Sequence, residues 1–163
     1  MAYSFLPDLM LFTDYGNDWP KYLEALYRVF HHDFVLTRPC LNGQSVECRH
    51  YPKDQGKEAA FWHLISTGES EDDRLPDIRR CERVPWPRPI IEHTPSDDIK
   101  MWTNLRHGQV NICIWLDGED YLIVLGQRKS YLLFLTAYPV VEDHRKKKLM
   151  KEYSAYKASA AHP

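Results

Sequence analysis

The sequence predicts an α+β fold in which N-terminal helices pack on a four-stranded antiparallel sheet that is followed by a C-terminal helix. Three observations predict it: apolar residues at helical spacing near the N-terminus, β-rich runs separated by turn signals after residue 99, and an apolar stripe within a charged stretch after residue 141. The chain has 163 residues, of which 44% are hydrophobic, enough to bury one sizeable core. We therefore expect a single domain over residues 1–163.

The first helix is expected to begin after Asp18, a residue type that caps helix N-termini. Pro20 is tolerated in the first turn of such a helix. Apolar residues then recur three or four positions apart, so one side of the helix should pack on a sheet or on another helix. This stripe consists of Trp19, Tyr22, Leu23, Leu26, Tyr27 and Phe30.

Two short strand-like runs follow, at residues 34–38 and 46–51, and an Asn-Gly pair at 42–43 favours a tight turn between them. We expect these runs to form a hairpin. A shorter helix is predicted over residues 57–67, ending at Gly68.

Residues 69–77 are acidic and polar and contain a proline, a composition that predicts a surface loop. This loop divides the chain into an N-terminal helical and hairpin part, residues 1–68, and a part with the sheet and the last helix, residues 78–158. The chain on either side of the loop is too short to form a separate domain, so we expect both parts to belong to one domain.

Four β-rich runs separated by turn signals predict an antiparallel meander. The runs are residues 101–104, 110–116, 121–125 and 131–136. The third and fourth runs are apolar on both faces, so helices should cover both sides of the sheet. The last helix is predicted over residues 141–158, with Leu149, Tyr153 and Tyr156 on its packing side.

The formal net charge of −2 argues against a protein that coats nucleic acid nonspecifically. The charge is uneven, however, because residues 144–151 are strongly basic and can still form a local anion site. The N-terminus lacks the features of a leader peptide, and no apolar run reaches about 18 residues. We therefore expect a soluble, cytoplasmic protein without a membrane partner.

No cofactor and no metal ion are expected. The four cysteines form no CxxC pair, and a zinc site from Cys40, Cys48, His50 and Cys81 is disfavoured because zinc ligands usually occur in close pairs. The acidic pairs at 72–73 and 97–98 lack a third carboxylate at a suitable spacing for magnesium. Motifs for dinucleotides, P-loop phosphates, zinc proteases, serine hydrolases and EF-hand calcium are also absent.

The chain from residue 131 to 153 gathers groups that can handle a phosphate. His144 can exchange protons near neutral pH, and Thr136 and Tyr138 lie at the end of a strand, where hydroxyls can position a phosphoryl group. Arg145, Lys148 and Lys151 add positive charge, and His144, Lys148 and Lys151 share one side of the predicted helix. The alternatives are a solvated basic helix face and hydroxyls that merely pack or cap.

Residues 79–93 contain a second basic segment in which arginines surround Trp86. Arginine binds phosphate in a forked geometry and tryptophan can stack on a base, so the segment is typical of a binding site for single-stranded nucleic acid. Structural ion pairs with nearby acids are the alternative. The arginines of this segment are Arg79, Arg80, Arg83 and Arg88.

His63 lies on the predicted second helix between core residues. A histidine in that setting is commonly a partly buried hydrogen-bonding group. It is a catalytic candidate only as the partner of His144, since RNA cleavage by the 2′-hydroxyl requires a base, an acid and a cation.

The segment from about residue 79 to 156 resembles the phage-associated branch of the barnase, EndoU, colicin and RelE-like (BECR) ribonuclease superfamily. The resemblance is carried by the arginine run around Arg83 and Trp86, by Trp102, and by LTAYPV with the following His144, Lys148 and Glu152-Tyr153. It implies N-terminal helices over a four-stranded sheet. It also implies metal-independent cleavage of RNA, often by a toxin in conflicts among phages, plasmids and hosts.

The residue types and the resemblance together predict a small ribonuclease that acts by 2′-hydroxyl attack on an RNA substrate, with an antitoxin or immunity protein as a further partner. The predicted catalytic residues are His144, His63, Arg83, Thr136, Tyr138 and Lys148, and the predicted substrate-binding residues are Arg79, Trp86, Arg88, Arg145 and Lys151. Two alternatives stay open: a noncatalytic phage or mobile-element module that binds RNA or a host protein, and an accessory phage protein without a nucleic-acid role.

Overall fold

The structure, a computed structural model, describes residues 3–161, without the side chains of Glu71 and Ala161. Residues 1–2 and 162–163 of the predicted domain lie outside the described residues. The helices are α1 Trp19–Phe30, α2 Ala59–Ile65, α3 Ile78–Glu82, α4 Pro87–His93 and α5 Asp143–Ala161. The strands are β1 Cys40–Leu41, β2 Gln44–Cys48, β3 Ser66–Thr67, β4 Leu75–Pro76, β5 Lys100–Arg106, β6 Gln109–Leu116, β7 Tyr121–Gln127 and β8 Leu132–Pro139.

The predicted start of α1 is confirmed. The Asp18 carboxylate accepts a hydrogen bond from the Lys21 backbone N–H at 3.3 Å, which satisfies one of the free donors of the first turn. The helix does not stop at Phe30 but continues into a π-helical segment, His31–Leu36. The strand predicted at residues 34–38 is therefore wrong.

The reason lies in the packing of Phe34. Its ring continues the apolar stripe of α1, with its centroid 5.4 Å from that of Phe30 and 4.7 Å from that of Phe134 on β8. Only 1% of Phe34 is exposed. Burial of this ring outweighs the β propensity of the run around it, as tertiary packing often does for short apolar segments.

The main sheet has six strands in the order β1-β2-β8-β7-β6-β5, so the predicted four-stranded sheet is wrong. The antiparallel meander from β5 to β8 forms as predicted. A further pair of strands joins it because β2 lies parallel to the first half of β8, with Val46 opposite Leu132 and Cys48 opposite Phe134. The mixed sheet thus contains strands that precede the acidic segment in the chain and strands that follow it.

The turn between β1 and β2 has the predicted Asn-Gly geometry. Asn42 has φ of 50° and Gly43 has φ of 81°, the positive values that a two-residue turn between antiparallel strands requires. The predicted hairpin exists, but its first strand is the two-residue β1 rather than residues 34–38.

The basic segment at residues 79–93 forms the two short helices α3 and α4, which the sequence analysis did not predict. Asp77 caps α3 by accepting hydrogen bonds from the backbone N–H groups of Arg79 at 2.9 Å and Arg80 at 3.2 Å. Pro87 and Pro89 fall in the first turn of α4, where a missing N–H loses no helical hydrogen bond. Two of the prolines in this segment therefore lie at the start of a helix.

The acidic segment at residues 69–77 is an excursion at the surface, as predicted. Its ends are joined by the short antiparallel pair β3 and β4, and a 3-10 turn, Glu71–Asp73, lies at its tip. Gly68 lies so close to the backbone of Arg74 that a Cβ atom would approach Arg74 Cα at 2.7 Å. The glycine thus permits the chain to fold back on itself.

The main sheet is covered on both faces, by different elements. On one face, which we call the inner face, β6, β7 and β8 pack against α1 to α4 in the larger apolar cluster. The opposite face, which we call the cleft face, packs against α5 in a smaller cluster built around Trp102, Trp115 and Leu149. The predicted two-sided cover and C-terminal helix are confirmed. No helix within residues 3–161 combines the length and apolar character needed to cross a membrane.

Tyr27 and Glu58 form a buried hydrogen bond that should make stability depend on pH. Tyr27 Oη donates to Glu58 Oε1 at 2.7 Å, and Glu58 is only 3% exposed. Burial raises the pKa of Glu58. The hydrogen bond from Tyr27 and the charge of Lys53 lower the pKa by more than burial raises it, so the net pKa lies below the ordinary value. A depressed carboxyl pKa stabilises the fold above the unfolded-state pKa, and the effect is lost as pH falls through the folded-state pKa.

Tyr27→Phe should therefore lower the free energy of unfolding by about 1–3 kcal/mol at neutral pH, because the buried carboxylate loses its donor. The gap to wild type should narrow at acidic pH, as the pH falls through the lowered folded-state pKa of Glu58 and the carboxylate takes up a proton. Urea unfolding followed by tryptophan fluorescence measures this difference. Tyr131→Phe is the control, since its ring is 38% exposed; a gap that stays constant with pH contradicts the prediction.

Candidate functional site

A cleft of about 380 Å³ lies between α5 and the cleft face of the sheet. Its floor is formed by strands β5 to β8 and one wall by α5. It is lined by Asn104, Arg106, Asn111, Cys113, Leu122, Val124, Tyr138, His144, Arg145, Lys148, Leu149 and Glu152. Four residues predicted from the C-terminal segment, Tyr138, His144, Arg145 and Lys148, thus meet in one place.

A β-bulge in β8 turns the strand end toward this cleft. Phe134 pairs with Leu125 and packs in the inner-face cluster, but the register then shifts and Thr136 pairs with Val124. In an uninterrupted strand Thr136 would face the same side as Phe134, because residues two apart share a face. The extra residue places Thr136 and Tyr138 on the cleft face instead.

Glu152 anchors α5 over the floor of the cleft. Its Oε1 accepts hydrogen bonds from Trp102 Nε1 at 3.2 Å and from Asn104 Nδ2 at 3.0 Å, and its Oε2 lies 3.7 Å from Arg106 Nη2. The Tyr153 ring meets the Trp102 ring edge-on, with centroids 5.9 Å apart. One polar and one aromatic contact therefore hold the middle of α5 against β5.

His144, Lys148 and Glu152 form a row on α5 because they are spaced four residues apart. Each step advances about 6 Å along the helix, so His144 and Glu152 stand about 12 Å apart along the axis, with Lys148 between them. All three line the cleft. Lys151, predicted to join this row, is exposed and lies outside the cleft lining.

Tyr138 is held by two arginines at the rim of the cleft. Arg145 Nη2 donates to Tyr138 Oη at 2.8 Å, and the Cζ atoms of Arg80 and Arg145 lie 5.1 Å and 5.6 Å from the ring centroid. Arg80 is itself held by the end of α2, because its Nη1 donates to the carbonyl oxygens of His63 and Ser66. Burial lowers the pKa of Arg80. The phenol is thereby fixed in position beside positive charge.

His144 lies at the open end of the cleft. Its side chain is 78% exposed, and its Nε2 is 3.0 Å from Glu142 Oε2. The position near the start of α5 leaves the imidazole accessible to a ligand and paired with a carboxylate.

The structure does not bring His63 to the cleft. His63 lies on α2 and borders pockets with Arg49, Tyr51 and Phe134 on the inner-face side. His144 lies on α5, which covers the opposite face of the sheet. The predicted acid–base pair of His63 and His144 is therefore not formed, because His144 lines the cleft and His63 does not.

Trp86 and Arg83 are structural rather than ligand-facing, contrary to the prediction. Trp86 is 5% exposed, its Nε1 donates to Pro7 O at 3.0 Å, and its ring meets the Tyr121 ring edge-on. Arg83 lies over the Trp86 ring at 5.1 Å and donates to Arg79 O at 3.0 Å. A buried indole cannot stack on a base, so the stacking role proposed for Trp86 is wrong.

Arg88 is also occupied within the fold. Its Nε donates to Glu92 at 3.2 Å, and its Nη1 donates to Asp33 O at 3.2 Å and to Thr37 Oγ1. These bonds tie α4 to the π-helical segment after α1, away from the cleft. Of the predicted residues in the basic segment, only Arg79 keeps an exposed side chain, and it lines a second pocket next to Tyr138.

Glu152, Arg106 and Asn104 line the cleft but were not among the predicted site residues. Glu152 was detectable in principle, since it continues the spacing of His144 and Lys148 by four residues. Arg106 and Asn104 had no such signal, because they come from β5, about 40 residues earlier in the chain, and only the strand order brings them under α5.

Three of the four cysteines are buried, and Cys40 is exposed. Burial raises the pKa of Cys48, Cys81 and Cys113 to about 12, so all three stay protonated at neutral pH. Within residues 3–161, no three His, Cys, Asp or Glu side chains are grouped so that they could hold a metal ion.

Comparisons of the chain with protein-family models, curated proteins and solved structures found no match.

Glu152→Ala should lower the free energy of unfolding by about 2–3 kcal/mol, because the indole N–H of Trp102 and the amide of Asn104 lose a charged acceptor. Glu152→Gln should cost under about 1 kcal/mol, since the amide oxygen can still accept both hydrogen bonds. Urea unfolding measures both values. Glu142→Ala, at a carboxylate 57% exposed, is the control; equal losses for the Ala and Gln variants would rule out the anchoring role.

Proposed function

We propose that the protein is a metal-independent ribonuclease and that the cleft beneath α5 is its active site. The proposal rests on one observation above all: a single cleft is lined by two groups that can exchange protons, His144 and Glu152, and by three cations, Arg106, Arg145 and Lys148. General acid–base cleavage of a phosphodiester requires this combination.

The proposed reaction is an internal transesterification. The substrate's 2′-oxygen attacks phosphorus and loses its proton to the Glu152 carboxylate, while the P–O5′ bond breaks and protonated His144 gives its proton to the leaving 5′-oxygen. The products are a 2′,3′-cyclic phosphate and a free 5′-hydroxyl, so atoms and charge balance without a further reactant. Attacking and leaving oxygens lie on opposite sides of phosphorus, which suits an acid and a base at the two ends of one row.

Lys148 stands midway between the proposed acid and base, where the scissile phosphate would lie. Its ammonium group and the Arg145 guanidinium would stabilise the negative charge that develops on the phosphorane oxygens. Tyr138, held by Arg145, would donate a hydrogen bond to the same phosphate. Thr136 lies on the same face of the sheet and would help to position it.

The resemblance to the BECR ribonucleases supports the same chemistry, and membership of that superfamily remains a proposal. On this proposal the protein is a cytoplasmic toxin of a phage or mobile element that meets a cognate antitoxin or immunity protein. The predicted sheet of four strands does not apply here, since β1 and β2 extend it to six.

Incubation of the pure protein with total RNA in EDTA should yield fragments that end in 2′,3′-cyclic phosphate. His144→Ala and Glu152→Gln should each slow cleavage by about 10²- to 10⁴-fold, because each removes one proton-transfer group. RNA with 2′-O-methyl groups should remain intact, since it lacks the attacking hydroxyl. Gel analysis with end-group determination measures all three outcomes.

Two matched variants serve as controls. His63→Ala and Lys147→Ala should cleave at the wild-type rate, since His63 lies on the inner-face side and Lys147 is an exposed cation of α5 outside the cleft lining. Absence of cleavage by the wild type, cleavage that EDTA abolishes, or full activity of His144→Ala would overturn the ribonuclease assignment.

Binding of RNA without cleavage is the second candidate function. The observation that favours it is the exposure of His144, 78% of whose side chain faces solvent and whose partner is the exposed Glu142 rather than a residue of the floor. In this case RNA affinity should survive His144→Ala and fall with Arg145→Met and Lys148→Met together. Unchanged RNA behaviour in that double variant would instead favour an accessory protein without a nucleic-acid role.

A further inference from the structure

A second pocket adjoins the cleft on the far side of Tyr138. It has a volume of about 550 Å³ and shares two of its lining residues, Tyr138 and Arg145, with the cleft. The side chains of Tyr138 and Arg145 therefore lie between the cleft and the second pocket. The charged residues that line only the second pocket are Asp77, Arg79, Arg80 and Glu142.

The second pocket contains three cations, and its two carboxylates are already engaged. Asp77 accepts the backbone N–H groups that start α3, and Glu142 pairs with His144. Arg79 is exposed, and Arg145 is shared with the cleft. The three cations outnumber the two carboxylates, so the pocket keeps an excess of positive charge that an anion can neutralise.

Arg80 gives this pocket a fixed donor. All of its hydrogen bonds to the described residues leave from Nη1, toward the end of α2. Its Nε and Nη2 hydrogens have no protein acceptor among residues 3–161, and the guanidinium lies against the Tyr138 ring. Arg74 also donates to the His63 and Ser66 carbonyls, so two like charges converge beside the pocket. Asp77 offsets part of that repulsion, and a bound anion would offset it further.

We propose that the second pocket binds the phosphate next to the scissile one, so that the substrate is a single RNA strand crossing Tyr138 with two consecutive phosphates bound. This inference rests on the proposed function. Arg145 borders both pockets, so a phosphate in each pocket would lie on either side of the Arg145 guanidinium. Consecutive phosphates of one RNA strand are close enough to bind in this way. A groove of cations with an aromatic ring between them is the general arrangement for single strands.

Uncleavable 2′-O-methyl oligouridines without terminal phosphates test the inference. A trimer, with two phosphates, should bind wild type about five- to tenfold more tightly than a dimer, with one phosphate. Its affinity should also depend more steeply on salt, by about 0.7 in the log–log slope for the added contact. Arg79→Glu should remove the gain from the second phosphate and leave dimer affinity unchanged. Fluorescence anisotropy at several salt concentrations measures these values.

Lys147→Glu is the matched control, because it reverses one exposed charge of α5 that lines neither pocket. It should keep the full gain from dimer to trimer. Equal affinity of dimer and trimer for wild type, or a gain that persists in Arg79→Glu or vanishes in Lys147→Glu, overturns the second phosphate site. If the dimer still binds and RNA is still cleaved, the proposed function stands without it. Failure of both oligonucleotides to bind, together with no RNA cleavage, overturns both proposals.

Discussion

Strands β7 and β8 carry apolar residues on both faces, and two different sets of helices have to supply the cover. Helices α1 to α4 pack on the inner face and build the larger cluster there. On the cleft face the cover comes from α5, which is anchored to β5 through Glu152 and Tyr153. A single helix cannot cover four strands, so a concavity remains beside it, and the candidate site depends on this incomplete cover.

The chemistry of the cleft follows from how it is anchored. Glu152 holds α5 in place through Trp102 and Asn104, yet its second oxygen faces Arg106 inside the cleft. The same helix carries His144 and Lys148 on the same side. Fold and site therefore share one carboxylate, and this is why only a substitution that keeps its hydrogen bonds can separate the two roles.

Much of the architecture was readable from the sequence because local patterns decided it. The capped start of α1, the Asn-Gly turn, the β5 to β8 meander and the last helix follow from spacing and turn chemistry. The wrong predictions also have identifiable physical causes. Phe34 follows the stripe of α1 into the core instead of forming a strand, and β2 pairs with β8, which extends the sheet beyond the four predicted strands.

The sequence by itself determined that the end of β8 and the start of α5 bring a tyrosine, a histidine and cations together, since these residues are close in the chain. The tertiary structure alone decided which other residues join them. The bulge at Leu135 turns Thr136 and Tyr138 to the cleft face, and strand order adds Asn104 and Arg106. Packing leaves His63 outside the cleft that His144 lines, and it buries Trp86 so that its ring cannot stack on a ligand. The face of the sheet on which a side chain lies depends on strand register and on packing between distant segments. Local residue spacing predicts neither of these.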